Sequence, residues 1–172
     1  MSEKKVCQNK GCFTGRAKTE NLGTVTDFVN SLMEGCDYSG RFQMQIDIAV
    51  EEIYTNICSY AYSDGAGDIA IEAVAEREKM QLTFIDSGCA YNPLKCEAPD
   101  ITLSAQQRQI GGLGIYMVRQ IMDEVSYGRV NGKNVLCMVK YVDTAGAHED
   151  SLQVLTEIGD VYGYETVGRT PV

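Results

Sequence analysis

Apolar positions in the first third of the chain recur at three- and four-residue steps. Leu22, Val25, Phe28, Val29, Leu32 and Met33 fall on one stripe of a helix that opens at Asn21 and ends near Gly35. A second helix is predicted after Asp37-Tyr38-Ser39-Gly40. It carries Phe42, Ile46, Ala49, Val50, Ile53, Ile57 and Tyr60 inward and runs to about Tyr62, where Ser63-Asp64-Gly65-Ala66-Gly67 breaks it. The period then shortens to two. Ile69, Ile71, Ala73 and Ala75 alternate with Ala70, Glu72 and Val74, and after a turn at Glu76 to Lys79 a second alternating run reaches Phe84 and Ile85, a hairpin of two strands.

Asp86 to Gln109 has little periodicity and holds Asn92-Pro93 and Pro99, so it reads as loop with a short helix around Ser104 to Arg108. Leu113, Met117, Val118 and Ile121 predict a third helix that opens directly on glycines. Two final strands, Val125 to Val130 and Asn134 to Val142, flank the tight-turn pair Asn131-Gly132. The order is helix, helix, strand, strand, loop, helix, strand, strand. Strands paired by hairpins, rather than separated by single crossover helices, predict an α+β two-layer sandwich with helices over a mainly antiparallel sheet.

The two ends are less patterned. Residues 1–20 are polar and read as an edge strand or a partly ordered lead-in. Residues 144–172, with Gly146, Gly159, Gly163 and Gly168, read as a tail or a strand added late. The main domain is therefore expected over residues 21–143.

Composition changes this picture in three respects. A length of 172 residues with 44% apolar and 23% charged positions is that of one folded domain. A formal charge of −9 argues against a general affinity for nucleic acid or anionic membrane, so any polyphosphate must be held by local devices such as a metal ion, backbone N–H groups or a helix N-terminus. No apolar run approaches the roughly 20 residues of a membrane span, and Met1 to Lys10 lacks a signal-peptide core, so a cytoplasmic location is expected. Seven cysteines, an odd number, fit reduced thiols better than a disulfide framework. Cys7 and Cys12 form a C-x4-C pair that would need Cys89 or Cys96 to seed a zinc site, and small apolar packing is the plainer account of these thiols.

Three groups of residues carry chemistry. Glu52 and Asn56 are four apart on a helix, so their side chains project from one face. A carboxamide oxygen can ligate Mg²⁺ while a neighbouring carboxylate accepts a proton from an attacking hydroxyl or water. Asp86-Ser87-Gly88 closes an apolar strand with an acceptor able to bind an exocyclic amine, followed by a glycine that permits close approach. Gly111-Gly112-Leu113-Gly114 precedes a helix, so its N–H groups and the positive helix end can meet phosphate oxygens. Each group has an ordinary alternative: a solvated helix face, a turn opened by Asp and Gly, and a flexible hinge.

Their order along the chain resembles the N, G1 and G2 boxes of the GHKL ATPases. The likeness is greatest to the anti-sigma-factor serine/threonine kinases, the RsbW/SpoIIAB-like group. It lies in Ala49-Val50-Glu51-Glu52-Ile53-Tyr54-Thr55-Asn56, in Asp86-Ser87-Gly88-Cys89-Ala90-Tyr91-Asn92-Pro93 and in Gly111-Gly112-Leu113-Gly114-Ile115-Tyr116-Met117-Val118, and covers about residues 20–142. The resemblance implies a Bergerat ATP-binding fold, with helices on one face of a mixed, mainly antiparallel sheet. It implies Glu52 as general base, Asn56 as Mg²⁺ ligand and Asp86 as acceptor for the adenine amine. Gly88 and Asn92 would lie beside the base, and Gly111, Gly112, Leu113 and Gly114 would cover the phosphates as a lid.

Some positions depart from the group's pattern. Tyr60 stands where a histidine is usual, Asn134 and Cys137 lie where a threonine often supports the adenine pocket, and the first twenty residues do not resemble the usual first strand.

The function implied is an ATP- and Mg²⁺-dependent protein kinase that phosphorylates a serine or threonine of an anti-sigma-factor antagonist (STAS) protein and so regulates transcription by partner switching. A sigma factor is a further expected partner, and relatives of this type commonly form homodimers. The competing expectation is an ATP-binding interaction module with little or no kinase activity. A histidine kinase is disfavoured, because the single histidine, His148, lies in the tail.

Overall fold

The computed structural model describes residues 8–63, 65, 67–95, 113–142 and 165–168. It is the expected two-layer α+β sandwich. Among the described residues one sheet of six strands carries three helices on a single face, and every strand pairing is antiparallel. In chain order the elements are β1 (Gln8–Arg16), α1 (Leu22–Met33), α2 (Gly40–Tyr60), β2 (Asp68–Glu76), β3 (Lys79–Asp86), α3 (Leu113–Ile121), β4 (Glu124–Val130), β5 (Lys133–Tyr141) and β6 (Glu165–Gly168). The sheet order is β1-β2-β3-β5-β4-β6. The expected short helix at Ser104 to Arg108, Gly111 and Gly112, and His148 lie outside the described residues.

Helix limits follow local chemistry. Gly35, at φ +79°, takes the left-handed conformation that stops α1. Ser39 opens α2, its hydroxyl oxygen accepting the Phe42 N–H at 3.2 Å. At the other hairpin Asn131 and Gly132, at φ +50° and +79°, form the primed turn that the dipeptide predicts.

β1 is an edge strand paired with β2 along its whole length. Its inward residues are Asn9, Gly11, Phe13 and Gly15, only half-buried, which is why its pattern is so weak. A Cβ at Gly11 would stand 2.9 Å from the Phe28 ring, so the glycine is what lets α1 lie against this strand. Asn9 ends α1 from the side, its Nδ2 donating to the carbonyls of Leu32 at 2.8 Å and Glu34 at 3.2 Å.

The core sits between helices and sheet. Strand register stacks the helix-facing residues in rows: Ala73-Leu82-Met138-Val125, then Ile71-Phe84-Leu136-Tyr127, then Ile69-Asp86-Asn134-Arg129. The first two rows are apolar and meet Val25, Val29, Ile46, Ala49, Val50 and Ile53 of α1 and α2. Each fully buried side chain such as Leu82 or Phe84 contributes about 1.5–3 kcal/mol relative to exposure. The third row turns polar and is taken up below.

Cys12, Cys58, Cys89 and Cys137 are free thiols, but Cys36 is disulfide-bonded. The expectation of reduced thiols therefore fails at Cys36, because an odd total of seven excludes complete pairing and not a single bridge. Among the described residues no three His, Cys, Asp or Glu side chains cluster as a metal site, and no helix is long and apolar enough to cross a membrane.

β4 and β5 are buried on both faces. On the face away from the helices Glu124 is 4% exposed, with the Tyr141 hydroxyl donating to Oε1 at 2.9 Å and Oε2 without a partner among the described residues. Burial holds its carboxyl above the ordinary glutamate value, against the smaller lowering effects of Tyr141 and Lys79. A carboxyl whose pKa is higher folded than unfolded favours the fold most below its unfolded value and loses that contribution as pH rises through the folded one. Glu124→Gln keeps an acceptor for Tyr141 and removes the charge. Thermal melts should show the variant close to wild type at about pH 4 and more stable at about pH 8; parallel curves would contradict the assignment.

Candidate functional site

Where the third row leaves the core, a cleft lies between α2, α3 and the ends of the strands. It is partly open to solvent. Ile53 and Ile57 of α2, Ile115 of α3 and Leu136 of β5 form apolar walls. Asn56 and Tyr60 enter from α2, Asp86 and Asn134 from the strand ends, Tyr127 from β4, and Cys89 and Tyr91 from the loop after β3. Tyr60 and Tyr91 are exposed at the mouth. The lining is mostly apolar with a few convergent polar groups, the make-up of a small-molecule site.

The floor is a buried polar network. Asp86 is 5% exposed, and its Oδ1 accepts the Gly88 N–H at 2.8 Å and Asn134 Nδ2 at 2.9 Å. Asn134 Nδ2 also donates to the Cys89 carbonyl at 2.9 Å. Its Oδ1 accepts the Tyr127 hydroxyl and Arg129 guanidinium, each at 2.7 Å. Arg129 donates in addition to the Gly88 carbonyl at 3.2 Å. Bonds this dense hold Asn134 and Asp86 Oδ1 in one arrangement.

The same turn is tied to α2 from the other side. The Cys89 N–H donates to the Ala61 carbonyl at 2.8 Å. The Tyr62 hydroxyl donates to the Asp68 carbonyl at 2.6 Å and accepts the Ser87 N–H at 3.1 Å. Burial holds that phenol above its ordinary pKa, with Asp86 and Asp68 adding smaller shifts in the same direction. A Cβ at Gly88 would fall 2.3 Å from the Ala61 carbonyl oxygen. The close approach that Gly88 permits within the protein is to the end of α2.

Of the residues singled out in the sequence, Asn56 and Asp86 line the cleft together and Gly88 shapes its floor. Asn92 does not line it; its Oδ1 accepts the Leu94 N–H at 2.9 Å and opens the short turn Pro93–Lys95. Glu52 also lies outside the cleft. Its carboxylate packs against α3, where a Cβ at Gly114 would meet Oε2 at 2.0 Å, so glycine at this position is what admits the carboxylate to the helix's first turn. The negative charge there complements the positive end of α3. Gly111 and Gly112 are outside the described residues, as is the side chain of Leu113.

Tyr127, Arg129, Ile115 and Leu136 were not anticipated as site residues. The signal for the first two was present in Asn131-Gly132, because a two-residue turn fixes the pairing of Arg129 with Asn134 and of Tyr127 with Leu136. That β5 also lies beside β3 has no local signal.

Comparison with known proteins gives an independent line. A family model described as histidine kinase-like ATPase domain matches residues 15–140. The chain is similar to the serine/threonine-protein kinase BtrW of Bordetella bronchiseptica, at 29% identity over 105 residues, 60% of this chain and 74% of that protein. It is likewise similar to the serine-protein kinase RsbW of Bacillus cereus, at 29% identity over 113 residues, 63% of this chain and 70% of that one.

The packing at Gly88 has a direct test. Gly88→Ala forces a methyl into backbone that cannot yield without breaking the Cys89–Ala61 and Gly88–Asp86 bonds. A loss of about 1–3 kcal/mol in unfolding free energy is expected, read from denaturant midpoints. An unchanged midpoint would show that the turn can move freely.

Proposed function

This chain belongs to the histidine kinase-like ATPase family, and we propose that within it the protein is an ATP-dependent serine/threonine kinase whose substrate is a small anti-sigma-factor antagonist of the STAS type. On this reading the base occupies the apolar slot with its amine on Asp86, and the phosphates run along α2 toward Glu52 and the first turn of α3. The observation that carries it is the meeting of Asp86 and Asn56 in one cleft, from elements far apart in the chain, with one Asp86 oxygen unbonded among the described residues. The names of the similar kinases support the reaction class and the kind of partner.

Glu52 stands nine residues before Ala61, about 13 Å of helix at 1.5 Å per residue. Asp86 is held at the Ala61 end. Base recognition and phosphoryl chemistry therefore occupy opposite ends of the α2 face. Asn56, between them, would hold Mg²⁺ through its amide oxygen. The bound ion supplies neutralisation of phosphate charge.

Glu52 takes the proton of the attacking serine or threonine hydroxyl as its oxygen bonds to the γ-phosphorus and the bond from that phosphorus to the bridging oxygen of the departing ADP breaks. Partner switching follows from the roughly two negative charges placed on the antagonist. The protein acts in the cytoplasm and engages a sigma factor through the same regulatory circuit.

One observation favours a second reading, an ATP-binding interaction module with little transfer activity: the Glu52 carboxylate rests against Gly114, outside the cleft. Glu52→Ala separates the two. A kinase should keep ATP affinity within about threefold and lose at least about a hundredfold in phosphorylation of a co-encoded STAS protein, measured by calorimetry and by γ-phosphate transfer. Wild-type protein that binds ATP and phosphorylates no such partner would leave the module. Asn56→Ala should abolish the strengthening of ATP binding by Mg²⁺, and an undiminished Mg²⁺ effect would remove Asn56 from the metal role.

A further inference from the structure

Asn134 takes no part in the reaction proposed above, yet it is the most fully bonded side chain of the floor. A carboxamide has two donor hydrogens and an acceptor with two lone pairs, and all four are used within the protein: Asp86 Oδ1 and the Cys89 carbonyl on the nitrogen, Tyr127 and Arg129 on the oxygen. The amide orientation follows from the partners. A flipped Asn134 would set its NH₂ against two donors and its oxygen against two acceptors. No donor or acceptor remains with which Asn134 could read a ligand.

What Asn134 does is shape the carboxylate beside it. Asp86 Oδ1 accepts from Asn134 and from the Gly88 N–H and is saturated. Oδ2 has no hydrogen bond among the described residues, and Asp86 lines the cleft. We infer that Asn134 is a positioning residue that sets nucleobase preference, by tying up one oxygen of Asp86 so that the cleft offers a single acceptor rather than a two-oxygen fork.

The consequence lies in the donor patterns of the purines. Adenine presents one amino group with an acceptor nitrogen beside it, which a lone carboxylate oxygen matches. Guanine presents adjacent N1–H and N2–H donors that match a carboxylate with both oxygens open, and its 6-oxo group is repelled by the same charge. Holding Oδ1 inward denies guanine its second bond and leaves one of its donors unpaired in a buried site, the kind of mismatch that gives strong discrimination. Arg129 and Tyr127 act one step further out, by holding Asn134 in register.

This inference rests on the reading of the cleft as a nucleotide site, and its test separates the two. Dissociation constants for ATP and GTP are measured by calorimetry on the full chain, for wild type, Asn134→Ala and Arg129→Met, with circular dichroism to establish folding. Wild type should prefer ATP. In Asn134→Ala the GTP-to-ATP ratio of dissociation constants should fall about tenfold, the scale of one hydrogen bond to a charged group. The change should come from weaker ATP and stronger GTP binding together.

Arg129→Met alters an exposed side chain and should move the ratio the same way by about two- to threefold, which keeps the test decisive if Asn134→Ala does not fold. Equal weakening of both nucleotides, or an unchanged ratio in a folded variant, would overturn the positioning role and leave the nucleotide site standing. Wild type that binds ATP and GTP alike would overturn the preference itself. Wild type that binds neither nucleotide would overturn the site and this inference together.

Discussion

The lateral register of β3 against β5 is the constraint on which both core and cleft depend. Side chains on a strand alternate with period two, so a slip of one residue would exchange the faces of β3 wholesale. Leu82 and Phe84 would leave the core, and Asp86 would leave the cleft in the same movement. Apolar burial and acceptor placement are therefore enforced by one alignment, in which Leu82 meets Met138, Phe84 meets Leu136 and Asp86 meets Asn134. The free energy that specifies it comes from the apolar rows, since the polar row alone would gain only the modest net value of hydrogen bonds already available from water.

α2 performs the matching task on the helix side. Its buried stripe, Phe42, Ile46, Ala49, Val50, Ile53 and Tyr54, holds it to the sheet. The residues just off that stripe, Glu52 and Asn56, are left half-buried at its flank, where they can face a ligand without being taken into the core. The Tyr54 hydroxyl further anchors the helix by donating to the Lys18 carbonyl at 2.9 Å, and burial pushes its pKa up to about 12. A helix fixed so firmly along one stripe presents its neighbouring face as a rigid wall.

Much of this was legible in the sequence wherever the information is local. Periodicity located α1 and α2 to within a residue or two, Gly35 and Asn131-Gly132 marked real turns, and the step from Glu52 to Asn56 put both on one helix face. β1 was harder to read because its inward positions are two glycines, an asparagine and one phenylalanine, a pattern that reflects close packing against Phe28 and not burial of large side chains. The partnership of Asp86 with Asn134 joins residues 48 apart through a non-sequential strand neighbour, and no local pattern encodes it. The contact of Glu52 with Gly114 is of the same kind. In both cases the residue was visible and its neighbour was not.

The turn after β3 carries no regular secondary structure, yet it is stapled from two directions: Ala61 and Tyr62 from the end of α2, and Asn134 and Arg129 from the β4–β5 hairpin. Opening this segment breaks bonds to the end of α2 and to the β4–β5 hairpin together. In cooperative terms it belongs to the same unfolding unit as the strands, although by geometry it is a loop. The acceptor at the cleft floor is thereby ordered before any ligand arrives, and the entropy of arranging it is charged to folding rather than to binding.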